Sequence, residues 1–401
     1  MNQIDDKPPY LLLTPGPLST SRTVRKAMWF DSCTWDNDYK KIVADIRSQL
    51  LSIANCDTRH YTTVLMQGSG SFGVEAVLGC TINRRKHQIL ILVNGVYGKR
   101  MVEMSRVLAL PHVVYEVDDD KSFDANVLRH ILQENPKITH LAVVHCETTT
   151  GMLNDIESIG KLAHEQQLYY IVDAMSSFGG MEFDISHLQI DFLISSSNKC
   201  LQGVPGFSFV ICKKEPFVEL CQNNAKSLCL DLYSQWLEME KDSGKWRYTS
   251  PTHSVLAFEQ ALKELNDEGG IQARAARYHE NQRLLAKGMT HAGFELYLPP
   301  ALQSPIISTF IEPAYIPNSS KLFYFKVFYN YLKAHGFVIY PGKVAHKNSF
   351  RIGNIGHLFP ADITRFLSHV QRFIEEANLP EEDIRQESLS LTVDDSPAMP
   401  G

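Results

Sequence analysis

The chain has 401 residues, 44% apolar and 21% charged, with 39 basic against 45 acidic side chains, a net charge of −6 and a pI near 6.2. This is the composition of an ordinary folded protein, and its small negative balance gives no electrostatic reason to expect DNA, RNA or an anionic membrane as partner. The length predicts two or three domains and leaves small molecules as the expected partners.

In chain order, residues 1–20 read as an N-terminal arm. Its opening, MNQIDDKPPY, is acidic and polar, unlike a signal peptide, and no apolar run reaches the roughly 18 residues of a membrane span. From Asp38 to Asn55, apolar residues at Tyr39, Ile42, Val43, Ile46, Leu50 and Ile53 follow the spacing of an amphipathic helix. Short β-rich runs at 62–66, 88–93, 113–117, 139–144, 168–173, 191–196 and 206–212 then alternate with helical segments at 71–80, 98–109, 123–134 and 155–166. Strands separated by helices predict an α/β fold with a mostly parallel seven-stranded sheet, within a large domain over 21–270. The chain turns helical from about 253, with a long polar-faced helix at 271–290. Strands at 294–298, 305–312, 337–341 and 349–354 and helices at 320–335 and 360–377 follow, as a smaller C-terminal α+β domain over 271–378. Residues 379–401 mix Pro, Ser and acidic residues without periodicity, as a mobile tail would. The eight cysteines are scattered, with neither a C-x-x-C pair nor zinc-like His/Cys spacing, so reduced thiols in a cytoplasmic protein are expected and a metal is not.

Ligands of a parallel sheet bind beyond the carboxyl ends of its strands, and five of the predicted strand ends carry suggestive residues. Lys199, in Ser195-Ser196-Ser197-Asn198-Lys199-Cys200, follows one apolar strand, and Asp173 closes another. A lysine amine forms a Schiff base with an aldehyde cofactor, and an aspartate facing a pyridine nitrogen keeps it protonated, so the pair suggests pyridoxal phosphate (PLP). The plain alternatives are a surface lysine and a helix N-cap. Gly68-Ser69-Gly70-Ser71-Phe72-Gly73 leads from a strand into a helix whose first N–H groups can cradle a phosphate. It also matches G-x-G-x-x-G, but the next strand ends Val93-Asn94-Gly95, without the acid a nicotinamide ribose needs. Tyr97, between Gly95 and Gly98, is placed either to lie flat on a cofactor ring or to pack in a core. The hydroxyls of His145-Cys146-Glu147-Thr148-Thr149-Thr150-Gly151 suit a cofactor's phenolic oxygen or an ordinary turn. Late in the chain, Trp246 to Thr252 forms a polar loop. Arg351, in Phe350-Arg351-Ile352-Gly353, offers a planar fork for a carboxylate or phosphonate, or else a surface ion pair.

The strings LLLTPGPLSTSRTVRKAM, VLMQGSGSFGVEAVLG, NGVYGKRMVEM, VHCETTTGMLN, YIVDAMSSFGG, ISSSNKCLQGVPGF, KWRYTSPTH and FRIGNIG together resemble the class V branch of the fold-type I PLP-dependent aminotransferases, over about residues 10–360. The resemblance implies a homodimer with its active site at the subunit boundary and ping-pong transamination. It points to 2-aminoethylphosphonate as donor and pyruvate as acceptor, with alanine:glyoxylate or serine:pyruvate exchange as the alternative. It assigns Lys199 to the Schiff base, Asp173 to the pyridine nitrogen and Ser69, Gly70 and Ser71 to the phosphate. Tyr97 would stack on the ring, Thr148 would meet the phenolic oxygen, and Asn198 would line the cofactor beside Lys199. Thr249 would reach the phosphate from the other subunit, Arg351 would bind the substrate's acidic group, and Gly16, in Thr14-Pro15-Gly16-Pro17, would line the entrance. The polar extensions at both ends lie beyond the family's core.

Overall fold

A computed structural model describes residues 9–182, 184–344 and 347–378; the expected tail lies outside the described residues. The seven β-rich runs form one sheet: β1 (Tyr61–Gln67), β2 (Gln88–Val93), β3 (His112–Glu116), β4 (Ile138–Val144), β5 (Tyr169–Asp173), β6 (Phe192–Ser196) and β7 (Phe207–Lys213). Their order is β1-β7-β6-β5-β4-β2-β3, with β7 antiparallel to both neighbours and every other pairing parallel. The exception has a local cause. Only residues 197–206 join β6 to β7, fewer than a parallel crossover requires, so the chain must return antiparallel.

Each strand reads as a continuous apolar run because both faces of the sheet are covered. Alternate residues feed two separate cores: Leu90, Leu92, Leu141, Val143 and Val172 on one face, and Ile89, Ile91, Val93, Ala142 and Ile171 on the other. Helix α1 (Asn37–Ile53) buries Val43, Ile46 and Leu50 in the first core, while α2 (Gly70–Thr81) and α3 (Val96–Val107) pack on the second.

A third apolar core gathers Phe294, Phe310, Phe328, Phe350 and Phe373 around a three-stranded antiparallel sheet of Ile307–Ile311, Lys347–Gly353 and Tyr340–Val344. Leu11–Leu12 pairs in parallel with Phe337–Val338, and Leu13 is buried in this same core, so the arm is tied to the late part of the chain. Two expectations need correction here. The strand expected at 294–298 reduces to a single bridge between Leu296 and Phe310, and the strand expected at 337–341 divides into two short strands in different sheets. Helices Lys214–Cys221 and Leu232–Lys241, absent from the sequence reading, also cover the second core. Among the described residues no helix is long and apolar enough to cross a membrane.

Candidate active site

Because β1, β2, β5 and β6 run in one direction, their carboxyl ends open on the same edge. There Ser69, Gly70, Ser71, Tyr97, Asp173, Asn198 and Lys199 line one cavity of about 260 Å³. The turn after β1 gives Ser69, which precedes α2 in extended backbone, so the first N–H groups of the helix face outward from the sheet edge. At Gly70 a Cβ would overlap the Met175 thioether, so a side chain there would have to displace the end of that methionine.

Asp173 ends β5 almost fully buried, and its Oδ1 accepts the Met175 N–H at 2.9 Å. Burial pushes its carboxyl up to about 6, against the opposing pull of that N–H, Lys199 and Arg100, so it remains mainly ionised at neutral pH. Lys199 is half-buried, and its amine is pushed down chiefly by loss of hydration; Cys200, Cys146 and Asp173 pull it up, and Arg351 pushes it down. Its Nζ donates to the Pro15 carbonyl at 2.7 Å. The arm thus lies across the lysine, and Gly16, at φ +133°, leaves no room for a side chain: a Cβ would stand 2.7 Å from that Nζ. Asn198 Oδ1 accepts from the Ser196 hydroxyl at 3.0 Å, which holds the turn before the lysine.

Four expected residues lie outside the cavity lining: Gly16, Thr148, Arg351 and Thr249. Thr148 is fully buried; its hydroxyl donates to the Tyr97 hydroxyl at 3.2 Å, and its carbonyl accepts from Arg351 Nη1 at 3.1 Å. Arg351 also donates from Nε and Nη2 to the Pro341 carbonyl (3.2 and 3.0 Å) and lies 4.9 Å from the centre of the Tyr340 ring. All these partners are neutral, so among the described residues it has no ion pair, unlike the surface ion pair of the plain reading. Thr249 is exposed, on the loop beyond buried Trp246, and does not face this chain's cavity.

Two residues with no role in the sequence reading matter to the geometry. Glu147 is fully buried and accepts the Gly98 N–H (2.9 Å) and the Tyr97 N–H (3.2 Å), which caps the first turn of α3 and fixes where Tyr97 starts. Burial drives its carboxyl up to about 7, those two N–H groups pull it back, and Asp173 adds to the rise. The available signal was the same as at Asp173: a carboxylate just past a wholly apolar strand, which is costly to bury unless it has partners. Arg100, one turn after Tyr97 on α3, lines the cavity and lies 5.1 Å from the Tyr97 ring centre. An amine of lowered proton affinity, a buried carboxylate, an aromatic face and a hydroxyl-bearing helix start fit the group expected from the sequence, and Gly70 keeps the cradle open for it.

The family profile "Aminotransferase class-V" matches residues 31–316. The chain is 53% identical over 363 residues to the 2-aminoethylphosphonate–pyruvate transaminase of Salmonella typhimurium, covering 90% of this chain and 97% of that one. It is 51% identical over 365 residues to the bifunctional phosphonoacetaldehyde hydrolase/aminoethylphosphonate transaminase of Clostridioides difficile; this match covers 91% of this chain but only 56% of that longer protein. Among solved structures, pyridoxamine–pyruvate aminotransferase from Mesorhizobium loti superposes with a TM-score of 0.82 at 22% identity, covering 95% of each chain, a likeness of fold. By profile and by relatives alike, the chain belongs to the class-V aminotransferase family.

Proposed function

We propose that this chain transfers the amino group of 2-aminoethylphosphonate to pyruvate, yielding phosphonoacetaldehyde and L-alanine. The observation that carries this reading is the 53% identity, over 90% of the chain, to a transaminase named for that donor and acceptor. The residues in and around the cavity support it. PLP, the cofactor of the family, supplies when bound an aldehyde that carries the amino group and a protonated ring that draws electrons from the substrate carbon.

Lys199 Nζ, whose hold on a proton burial weakens, takes the proton from the carbon bearing the donor's amine and returns it later in the cycle. Asp173 holds the ring-nitrogen proton, Tyr97 offers its face to the ring, and Ser69, Gly70 and Ser71 hold the phosphate. Asn198 steadies the turn that presents the lysine, and Thr148 sets the tilt of Tyr97 through their shared hydrogen bond. Arg351 receives the phosphonate, its fork exchanging carbonyl partners for an anion. Gly16 lets the arm close over the site.

The working unit in this reading is a cytoplasmic homodimer in which Thr249 serves the partner's phosphate. Trp29, Phe30, Trp35 and Phe72 are half or more exposed on a single chain, Trp35 flanks the loop of Thr249 through Lys245, and Phe72 adjoins the phosphate cradle. Eight unpaired cysteines suit a reducing compartment.

The test is a half-reaction. The yellow, cofactor-loaded protein should bleach on addition of 2-aminoethylphosphonate alone, release phosphonoacetaldehyde, and regain its colour with pyruvate. Faster bleaching by alanine or serine would replace this reading with alanine:glyoxylate or serine:pyruvate exchange.

A further inference from the structure

The expected cofactor phosphate carries close to two negative charges at neutral pH, and an anion taken into a partly enclosed cavity needs a counter-charge there. The Ser69–Ser71 turn offers hydroxyls, backbone N–H groups and the fractional positive charge of a helix start, but no cation. Among the described residues lining the cavity, only Lys199 and Arg100 bear positive charge, and Lys199 is committed to the aldehyde end.

Arg100 Nη1 donates to Ser71 Oγ at 3.2 Å, so the guanidinium already stands one hydrogen bond from the cradle. By accepting from Arg100, the Ser71 oxygen leaves its own proton free to point at an incoming anion. The side chain is otherwise held by the Tyr97 ring at 5.1 Å and is solvent-exposed, so it can swing without breaking a buried contact. Arg100 has no carboxylate within ion-pair distance among the described residues. From this arrangement we infer that Arg100 is the cation of the phosphate cradle, binding the cofactor's phosphate directly and orienting the Ser71 hydroxyl toward it. Each arginine then serves one anion: Arg100 the cofactor's and Arg351 the substrate's.

This inference rests on the cofactor reading above, and the experiment separates the two. The full chain, stripped of cofactor, is titrated with PLP and, separately, with pyridoxal, which lacks the phosphate, with binding followed by absorbance. Arg100→Gln should weaken PLP binding by about 10- to 100-fold while changing pyridoxal binding by less than about twofold, and Arg100→Lys should recover part of the loss. The ³¹P resonance of bound PLP should move in Arg100→Gln relative to the unaltered protein. Equal losses for both ligands would reduce Arg100 to a structural support, and no loss for either would remove it from the site; both overturn the inference while the cofactor reading stands. An unaltered chain that binds neither ligand would overturn both.

Discussion

The floor of the cavity and its mouth are built by different means. At the floor, Asp173, Glu147 and the Ser69–Ser71 turn each follow a strand of one sheet, and backbone N–H groups one or two residues away, or at a helix start, hold both carboxylates. At the mouth, Lys199 meets a carbonyl 184 positions away and Arg351 meets one 203 positions away. Sheet register sets the floor, whereas the mouth depends on how the third core and the arm pack over the sheet. The difference predicts a division of labour: changes at the floor should affect cofactor and proton transfer, and changes at the mouth should affect substrate capture.

The sharpest break comes where the two meet. Lys199→Ala should abolish the visible absorbance of the loaded protein and lower turnover by at least about 10⁴-fold, because it removes both the attachment point and the base. Multiple turnovers by that variant at near-normal rate would dismiss the assignment. At the mouth, Arg351→Gln should keep the yellow colour and raise KM for the phosphonate donor by about 100-fold, with a smaller change in KM for a donor lacking an acidic group. A loss of colour with KM unaltered would mean that Arg351 belongs to the floor after all.

The smallest effect concerns stability. Glu147 has a folded-state pKa of about 7, above its ordinary 4.5, so the folded chain holds more protons than the unfolded one between those values. The protonated group's contribution is therefore full below about pH 4.5 and is lost as pH rises through about 7, a change of about 3 kcal/mol. Asp173, raised to about 6, acts in the same direction; buried His140 and His145, lowered to about 3 and 4, act in the opposite one. Glu147→Gln removes the Glu147 share, so the melting temperature of the cofactor-free variant should rise relative to that of the unaltered chain as pH goes from 5 to 7. Identical pH profiles would show that the carboxyl carries no such burden.

Much of the floor was legible from residues alone. Ile89 to Val93 and Leu141 to Val144 read as strands because burial on both faces leaves no polar position, and the residue after each run is where a parallel sheet exposes its ends. Glu147 escaped notice because its partners, the N–H groups of Tyr97 and Gly98, belong to a helix some 50 positions earlier. Phe294, Leu296 and Leu298 alternate as a strand would, yet alternation reports one-sided burial and not ladder pairing, and only Leu296 finds a strand partner. Lys214–Cys221 is too short to display helical periodicity, so its packing against the sheet could be seen only in three dimensions.

By itself, then, the sequence determined the α/β sheet, the residues at its ends and the chemistry those residue types can perform, because strand burial and strand-end polarity are local properties of the chain. Only the tertiary structure decided that Thr148 turns to Tyr97 and not to the cavity, and that the arm's Pro15 carbonyl holds Lys199. Each of those outcomes depends on which distant segment supplies a hydrogen-bond partner, and no local pattern in the chain records that choice.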